Sequence, residues 1–211
     1  MIHELRTYTL WPGKVPEFLE HVEKFAIPIR GDDHGTMEGF WSTEFGPLNQ
    51  VLHLWSYADL NDRQDARARL TQNPDWTGEV VPRVIPLIRR QEVRLMHPRV
   101  PLKGPAGKGN IYEYRHYSAR PGKAGAFVQH FTEAMPVREK YSPNVCLWHS
   151  EAANPNEVSH LWVYSDFASR AEARAKCAQD PDWRAFLGKG GPLLEEMHST
   201  LLSPASFSPL S

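Results

Sequence analysis

The chain has 211 residues, of which 41% are hydrophobic and 23% charged, values typical of a globular protein with a substantial core. Its 24 lysines and arginines are balanced by 25 aspartates and glutamates, so no net field would draw it to nucleic acid or to an anionic membrane surface. The N-terminus lacks the pattern of a secretory signal and no stretch approaches the roughly 18 apolar residues of a membrane span, so a cytoplasmic location is expected.

The first predicted strand covers residues 2–10, where side chains alternate between two faces and Glu4, Arg6 and Tyr8 share one of them. Apolar residues at helical spacing follow from Val15 onward. Pro28 is expected to end this helix, because proline removes a backbone hydrogen bond in a helix interior.

Two more strands are predicted over Met37–Glu44 and Gln50–Tyr57. The segment between them, FGPLN, is rich in turn-forming residues, so the two strands are expected to form a hairpin. Asp59 is placed to cap a helix over Leu60–Leu70, which stops before Pro74.

A second apolar stretch begins at Trp76 and leads into a last strand over Arg90–Met96. The order of elements in the first hundred residues is therefore β-α-β-β-α-β. This is the order of a ferredoxin-like fold, in which both helices cover one face of an antiparallel sheet.

The second half of the chain repeats the first. His53–Trp76 and His160–Trp183 share 13 of 24 residues, and both begin with an aromatic pentapeptide, HLWSY or HLWVY. Upstream residues recur 109 positions later: Glu4, Arg6, Tyr8, Pro12, Gly13, Lys14, Phe18 and His21. The change of offset from 109 to 107 predicts a net loss of two residues between the first helix and the third strand of the second copy.

The repeat predicts residues 1–97 as a first copy, 98–109 as a Pro/Gly-rich linker and 110–211 as a second copy. A single ferredoxin-like sheet leaves one aromatic face uncovered. Two copies bury both faces if their sheets close on each other, so the predicted fold is α+β: a pseudo-dimeric α/β barrel made of tandem repeats.

Several motifs resemble the NIPSNAP family of the dimeric α/β-barrel superfamily: ELRTYTL, PGK, GFW, LNQVLHLWSY and PDW. The resemblance spans both copies and implies the barrel fold. It implies little about a reaction, because the activity of the family is poorly defined and barrel relatives include cofactor-free monooxygenases, isomerases and haem enzymes.

The candidate site is a cluster of polar and aromatic residues on neighbouring strands. If Leu52 and Leu54 pack under the helices, the alternate residues His53, Trp55 and Tyr57 face the barrel lumen, as Glu4, Arg6 and Tyr8 of the first strand then do. There an arginine would bind a carboxylate, aromatic rings would stack, and a histidine would move a proton. The candidate catalytic residues are His53, Tyr57 and Glu4, and the candidate ligand-binding residues are Arg6, Tyr8, Trp55, Trp41, Arg115, Tyr117, His160 and Trp162.

The cluster therefore predicts that a small anionic or aromatic organic molecule binds in the lumen, with cofactor-independent monooxygenase- or isomerase-like chemistry as a further hypothesis. No cofactor is expected, and no Cys/His spacing supports a metal site. A haem-binding barrel is an alternative, as is a structural or interaction protein whose buried Glu–Arg pairs form a closed network without a ligand. The arginine pairs Arg63/Arg67 and Arg170/Arg174 would bind a phosphate or, more simply, pair with Asp59, with Asp166 or with a neighbouring carboxylate. No nucleic-acid partner is expected, and homo-oligomerisation is left open.

Overall fold

The structure, a computed structural model, describes residues 1–104 and 110–211. Residues 105–109 of the predicted linker lie outside the described residues. The chain divides into two units, residues 1–95 with 204–211 and residues 96–203. Its eight strands form a closed barrel in the order β1-β3-β2-β8-β5-β7-β6-β4, which confirms the predicted α/β-barrel fold.

The first repeat contains four strands and the helices that cover one face of them. Its elements are β1 (Ile2–Leu10), α1 (Val15–His21), α2 (Ile27–Arg30), β2 (Thr36–Phe45), β3 (Gln50–Tyr57), α3 (Leu60–Gln72), α4 (Val81–Val84) and β4 (Ile88–Pro98). The predicted capping role of Asp59 is confirmed, since its carboxylate accepts hydrogen bonds from the backbone N–H groups of Asn61 and Asp62.

The second repeat follows the same order. Its elements are β5 (Ile111–Ala119), α5 (Ala124–Glu139), β6 (Asn144–Ala152), β7 (Glu157–Tyr164), α6 (Phe167–Cys177), α7 (Pro181–Gly190) and β8 (Leu194–Pro204). Asp166 and Ser169 form a reciprocal capping box at the start of α6. The two predicted β-α-β-β-α-β repeats are therefore both present.

The prediction that Pro28 ends the first helix is wrong. The helical path continues to Arg30, and a π-helical turn over Val22–Ala26 lies between α1 and α2. Pro28 follows this turn at the start of α2, where its missing N–H costs least. In the second repeat, Pro136 lies inside the continuous helix α5.

A π-helical turn holds one more residue than the α-helical turn it replaces. The segment AIPIR, which ends at Arg30, recurs as AMPVR, which ends at Arg138, at an offset of 108. One of the two residues that the second copy lacks is therefore lost inside the first helix, rather than after it as predicted.

The assignment of strand faces made from the sequence is also wrong. The Glu4 carboxylate forms salt bridges with Arg63 and Arg67 of α3, so Glu4 and the residues that share its face point toward the helices. Arg6 and His53 are opposite each other on β1 and β3 and lie on this face, whereas Leu52 and Leu54 occupy the other. Except for Trp41, which is paired with Leu52 and shares its face, the candidate residues thus lie under the helices and not in the barrel lumen.

The segment after β8 packs into the first unit. Two hydrogen bonds join the backbone of Phe40 to this segment: the N–H of Ala205 donates to the Phe40 carbonyl, and the N–H of Phe40 donates to the side-chain hydroxyl of Ser208, both at 2.9 Å. The ring of Phe207 lies 5.1 Å from that of Phe40, measured between centroids. Residues 204–211 therefore support the middle of β2.

Gly39 lies against the buried ring of Trp41, and a methyl group added at Gly39 would come within 2.1 Å of that ring. We expect Gly39→Ala to lower the free energy of unfolding by about 1–3 kcal/mol, because the methyl group would overlap the buried ring and force it to shift. Chemical denaturation measures the change. Gly125→Ala is the control: it adds a methyl group in open space on α5 and is expected to be neutral or stabilising.

Within the described part of the chain, no helix combines the length and the apolar character needed to cross a bilayer.

Candidate functional site

The first unit contains a cavity of about 200 Å³ between its sheet and its helices. Strand residues Arg6, Tyr8, Phe40, His53 and Trp55 form its floor, and apolar residues of the helices form its walls. The polar and aromatic face of β1 and β3 is therefore covered by helices and still leaves space for a small molecule.

His53 is buried and held in one tautomer. The indole Nε1–H of Trp55 donates to its Nδ1 at 2.6 Å, and an indole N–H can only donate. A neutral His53 therefore carries its proton on Nε2. This Nε2–H is buried and has no hydrogen-bond partner among the described residues. The ring of Phe40 stacks on His53 at 4.9 Å between centroids.

Glu4 is fully buried and is surrounded by arginines. Its carboxylate accepts from the Arg6 Nη1 at 2.9 Å and from the Arg63 Nε, and Arg67 lies 3.7 Å away. The predicted pairing of Arg63 and Arg67 with a nearby carboxylate is therefore confirmed. Arg6 also donates from its Nε to the Tyr8 hydroxyl at 2.6 Å.

Arg30 is buried without a carboxylate partner within 4.0 Å in the part of the chain that the structure describes. Its Nη2 donates to the His34 carbonyl and to the Tyr57 hydroxyl, both at 2.9 Å. Its guanidinium lies 3.3 Å from the ring centroid of Trp55, a cation–π contact. Arg30 lines the cavity, so it places an uncompensated positive charge beside that space.

The charges of the cluster set the protonation states of its members. Burial, together with the nearby positive charges of Arg6 and Arg30, lowers the pKa of His53 well below its usual value. Burial alone would raise the pKa of Glu4, but the three arginines around it outweigh this effect and lower it. The histidine is therefore neutral and the carboxylate ionised at neutral pH.

The second unit contains an equivalent cavity of about 280 Å³, lined by Arg115, Tyr117, Arg138, His160, Trp162 and Arg174 among others. The Nε1–H of Trp162 donates to the Nδ1 of His160 at 2.5 Å, and the His160 Nε2 has no partner among the described residues. Burial, with the charge of Arg115, lowers the pKa of His160 well below its usual value.

Arg138 takes the place of Arg30 in the second unit. It donates to the hydroxyls of Ser142 and Tyr164 at 2.6 and 3.1 Å and lies 4.4 Å from the ring centroid of Trp162. No carboxylate within the described ranges lies within 4.0 Å of it. Glu113, the counterpart of Glu4, pairs instead with Arg115 and Arg170.

Most of the predicted ligand-binding residues line the two cavities: Arg6, Tyr8, Trp55, Arg115, Tyr117, His160 and Trp162. Of the three candidate catalytic residues only His53 does so, since Glu4 and Tyr57 lie in the hydrogen-bond network behind the cavity wall. Trp41 is opposite Leu52 in the β2–β3 pairing and faces away from the cavity.

Sequence reasoning missed the two buried arginines, Arg30 and Arg138, and the stacked ring of Phe40. The recurrence of AIPIR as AMPVR is a signal that would have identified both arginines. On β2 the residue predicted to bind a ligand was Trp41, but its neighbour Phe40 lies on the face that carries His53.

A family model described as NIPSNAP matches residues 3–101 and 112–209, one match for each repeat. The human protein NipSnap homolog 3A is 33% identical over 215 residues, covering all of this chain and 86% of the human protein. A NipSnap homolog of Dictyostelium discoideum is 28% identical over 210 residues, covering 96% of this chain and 87% of that protein. The chain therefore resembles these relatives over nearly its full length.

Among solved structures, a proposed monooxygenase from Lactobacillus acidophilus superposes with a TM-score of 0.70 at 15% identity, over 97% of this chain and 94% of that one. An anthrone oxidase-like protein superposes with a TM-score of 0.70 at 10% identity, over 100% of this chain and 94% of that one. At these identities, the two likenesses show the shared fold alone.

Proposed function

This chain belongs to the NIPSNAP family, and we propose that it binds small organic anions, such as carboxylates, in the cavity between the sheet and the helices of each repeat. The observation that carries this proposal is Arg30, a buried guanidinium that lines the first cavity without a carboxylate partner among the described residues. Arg138 repeats it in the second cavity.

Burying a charged group without a counter-charge is costly, and proteins seldom retain one unless it is paired. The Glu4 carboxylate cannot serve Arg30, because Arg6, Arg63 and Arg67 already surround it. These four arginines and one carboxylate leave an excess of positive charge beside the cavity. A bound carboxylate would neutralise part of that excess and accept charge-assisted hydrogen bonds.

The histidine supports the same ligand chemistry. The Nε2–H of His53 is a buried donor without a protein partner in the described residues, and an anionic oxygen would satisfy it. The remaining walls are mainly apolar and aromatic. The ligand that suits this cavity is therefore an amphipathic anion with one charged head and a hydrocarbon tail.

The same geometry argues for binding rather than proton abstraction by the histidine. The Nδ1 of His53 is engaged by Trp55 and its Nε2 already carries a proton, so the neutral ring offers no free lone pair to a substrate. The cofactor-independent monooxygenase- or isomerase-like chemistry suggested by barrel relatives stays a prediction. If such chemistry occurs, His53 would act as a hydrogen-bond donor that stabilises negative charge.

We do not propose haem as the ligand. A neutral histidine that binds iron through Nε2 carries its proton on Nδ1, where it donates to a second partner. In this chain the Nδ1 atoms of His53 and His160 accept the indole protons of Trp55 and Trp162 instead. The donor chemistry of both histidines therefore does not fit axial ligation.

The structural alternative accounts for a different part of the cluster. Glu4 and its three arginines form a network that is satisfied without a ligand, and we assign them to folding. Arg30 and His53 carry the unsatisfied groups, and we assign them to binding. The two interpretations of the cluster thus apply to separate residues.

The double variant Arg30→Met/Arg138→Met tests the proposal in the full chain. Loss of a hydrogen bond to a charged group typically costs about 1.5–3 kcal/mol, so we expect the affinity for octanoate and phenylacetate to fall by at least tenfold. Isothermal titration calorimetry measures the change, and a melting curve checks that the variant is folded. Arg90→Met, which removes an exposed arginine on β4, is the matched control and should bind as the unmodified chain does. If neither acid binds the unmodified chain, the proposal is rejected.

A further inference from the structure

We infer that the two cavities select different tails: an aliphatic chain in the first unit and an aromatic ring in the second. This inference rests on the proposed binding of organic anions. It concerns the apolar walls of the two cavities, which differ. The buried arginine and histidine at the charged end of each cavity are the same in both.

The charged ends match residue by residue. Arg30, His53 and Trp55 in the first cavity correspond to Arg138, His160 and Trp162 in the second. Each unit keeps the indole-to-imidazole hydrogen bond and the guanidinium above the tryptophan ring. The two units therefore present the same groups to a carboxylate.

Beyond the rings of Phe18 and Trp76, which recur in the second cavity as Phe127 and Trp183, the helical wall of the first cavity is built from branched aliphatic residues. The π-helical turn of the first helix contributes Val22, and the helical segment before β4 contributes Val80, Val81, Val84 and Ile85. Val80 is completely buried. Such side chains present methyl groups in several directions rather than a flat surface.

The wall of the second cavity has two further aromatic rings, Phe131 and Phe186, at positions that are aliphatic in the first cavity. Phe131 occupies the position of Val22 in the repeat and stacks on Phe186 of α7, with 5.3 Å between centroids and 16° between planes. Trp183 lies 4.7 Å from Phe186, and Phe127 lies 5.7 Å from Phe131. A second π-helical turn, over Trp76–Val80, shifts the offset between the repeats to 106 before β4 and β8, so the position of Phe186 corresponds to Val80 in the first repeat.

These walls favour different ligands for physical reasons. Aromatic rings pair best with other rings in offset-stacked or edge-to-face arrangements, a gain that a saturated chain cannot provide. Against an aliphatic wall the affinity depends on how much apolar area of the ligand is removed from water, and it rises roughly fourfold for each buried methylene group. A carboxylate with an alkyl tail therefore suits the first cavity and an aryl carboxylate the second.

The test compares two eight-carbon acids, octanoate and phenylacetate, by calorimetry on the full chain and on two single variants. Arg30→Met is expected to weaken octanoate binding by at least tenfold and to change phenylacetate binding by less than twofold. Arg138→Met is expected to do the reverse. On Arg138→Met, lengthening the acid from hexanoate to octanoate should raise the affinity about fourfold per methylene group.

The inference is overturned if the same variant abolishes the binding of both acids, or if each variant weakens both acids equally. In that case the proposed function survives, since both acids still bind the unmodified chain. If neither acid binds the unmodified chain, the proposed function fails as well.

Val22→Phe gives a second test that leaves every arginine in place. It puts an aromatic ring at the position that Phe131 occupies in the second repeat, and we expect it to weaken octanoate binding by about tenfold with phenylacetate unaffected. An octanoate affinity equal to that of the unmodified chain would also overturn the inference.

Discussion

Replacing Glu113 by alanine is expected to lower the free energy of unfolding by about 3–5 kcal/mol, the typical cost of removing one partner of a buried ion pair. Its carboxylate is fully buried and accepts hydrogen bonds from Arg115, Arg170 and the Ser199 hydroxyl at 2.7–3.0 Å. Without it, the guanidinium of Arg115 stays in the interior with no counter-charge. The loss follows from the charge that remains, more than from the contacts that are removed.

Urea denaturation of the unmodified chain and the variant measures this effect. Glu172→Ala is the matched control: it removes an exposed glutamate that pairs with Lys176 on α6, and its denaturation midpoint should not move. The double variant Glu113→Ala/Arg115→Met should recover part of the lost stability, because it removes one of the stranded charges. A midpoint for Glu113→Ala equal to that of the unmodified chain would show that the network is dispensable.

Acidification from pH 7 to pH 5 is expected to destabilise the protein strongly, well before its carboxylates protonate. Burial lowers the pKa of His53 and His160 well below 6.5 and that of His3 to about 4. Below pH 6.5 the unfolded chain therefore binds protons at these histidines that the folded chain does not bind. Stability is therefore full above pH 6.5 and falls as the pH drops toward the folded pKa, by up to about 1.4 kcal/mol per pH unit for each histidine.

A second loss is expected at lower pH. Burial would raise the pKa of Glu113, but its hydrogen bond from Arg170 and the charge of Arg115 outweigh burial and lower the pKa to about 2. The stability that this carboxylate contributes is present above its unfolded pKa of about 4.5 and is lost as the pH falls toward 2.

Melting temperatures recorded from pH 8 to pH 2 separate the two losses. The variant His53→Gln/His160→Gln should lose less stability between pH 6.5 and pH 5 than the unmodified chain, because glutamine does not titrate and its amide oxygen can accept the indole proton. A melting temperature that stays constant from pH 7 to pH 5 would contradict the assignment of neutral, buried histidines.

The fold could be predicted from the sequence because the pattern of strands and helices occurs twice in the chain. A β-α-β-β-α-β pattern in one copy is open to other interpretations, but its recurrence fixes the boundaries of the repeat, and Asp59 and Asp166 mark the same helix start in both copies. At these positions the helix-capping aspartate and the order of elements in the repeat indicate the same helix start. The β3 boundaries, Gln50–Tyr57, were predicted to the residue.

The orientation of the site could not be predicted from alternation. Both faces of β1 and β3 are buried over most of their length, so apolar and polar residues do not separate into a core face and a solvent face. Leu52 and Leu54 were therefore assigned to the helices by their hydrophobicity alone. The duplicated charged residues indicate the correct orientation. Arg63 and Arg67 of the helix recur in the second copy together with the strand carboxylate that they bind, which places that carboxylate on the helix-covered face.

The buried arginines were missed for a different reason. A constant offset of 109 aligns Arg30 with Glu139 rather than with Arg138. The π-helical turn shifts the register by one residue, and no property of the residues in Val22–Ala26 distinguishes such a turn from an ordinary α-helical one. Only the pairing of AIPIR with AMPVR reveals the shift.

The support that residues 204–211 give to β2 has a consequence for the order in which the protein is made. Phe40 stacks on His53 in the first cavity, and its other neighbours include Phe207, which is translated after the entire second unit. At about 5–20 residues per second, the first half of the nascent chain waits roughly ten seconds for this last contact. At the end of that interval the second unit has all of its own residues before the first unit does. The repeat encoded first is thus the one completed last.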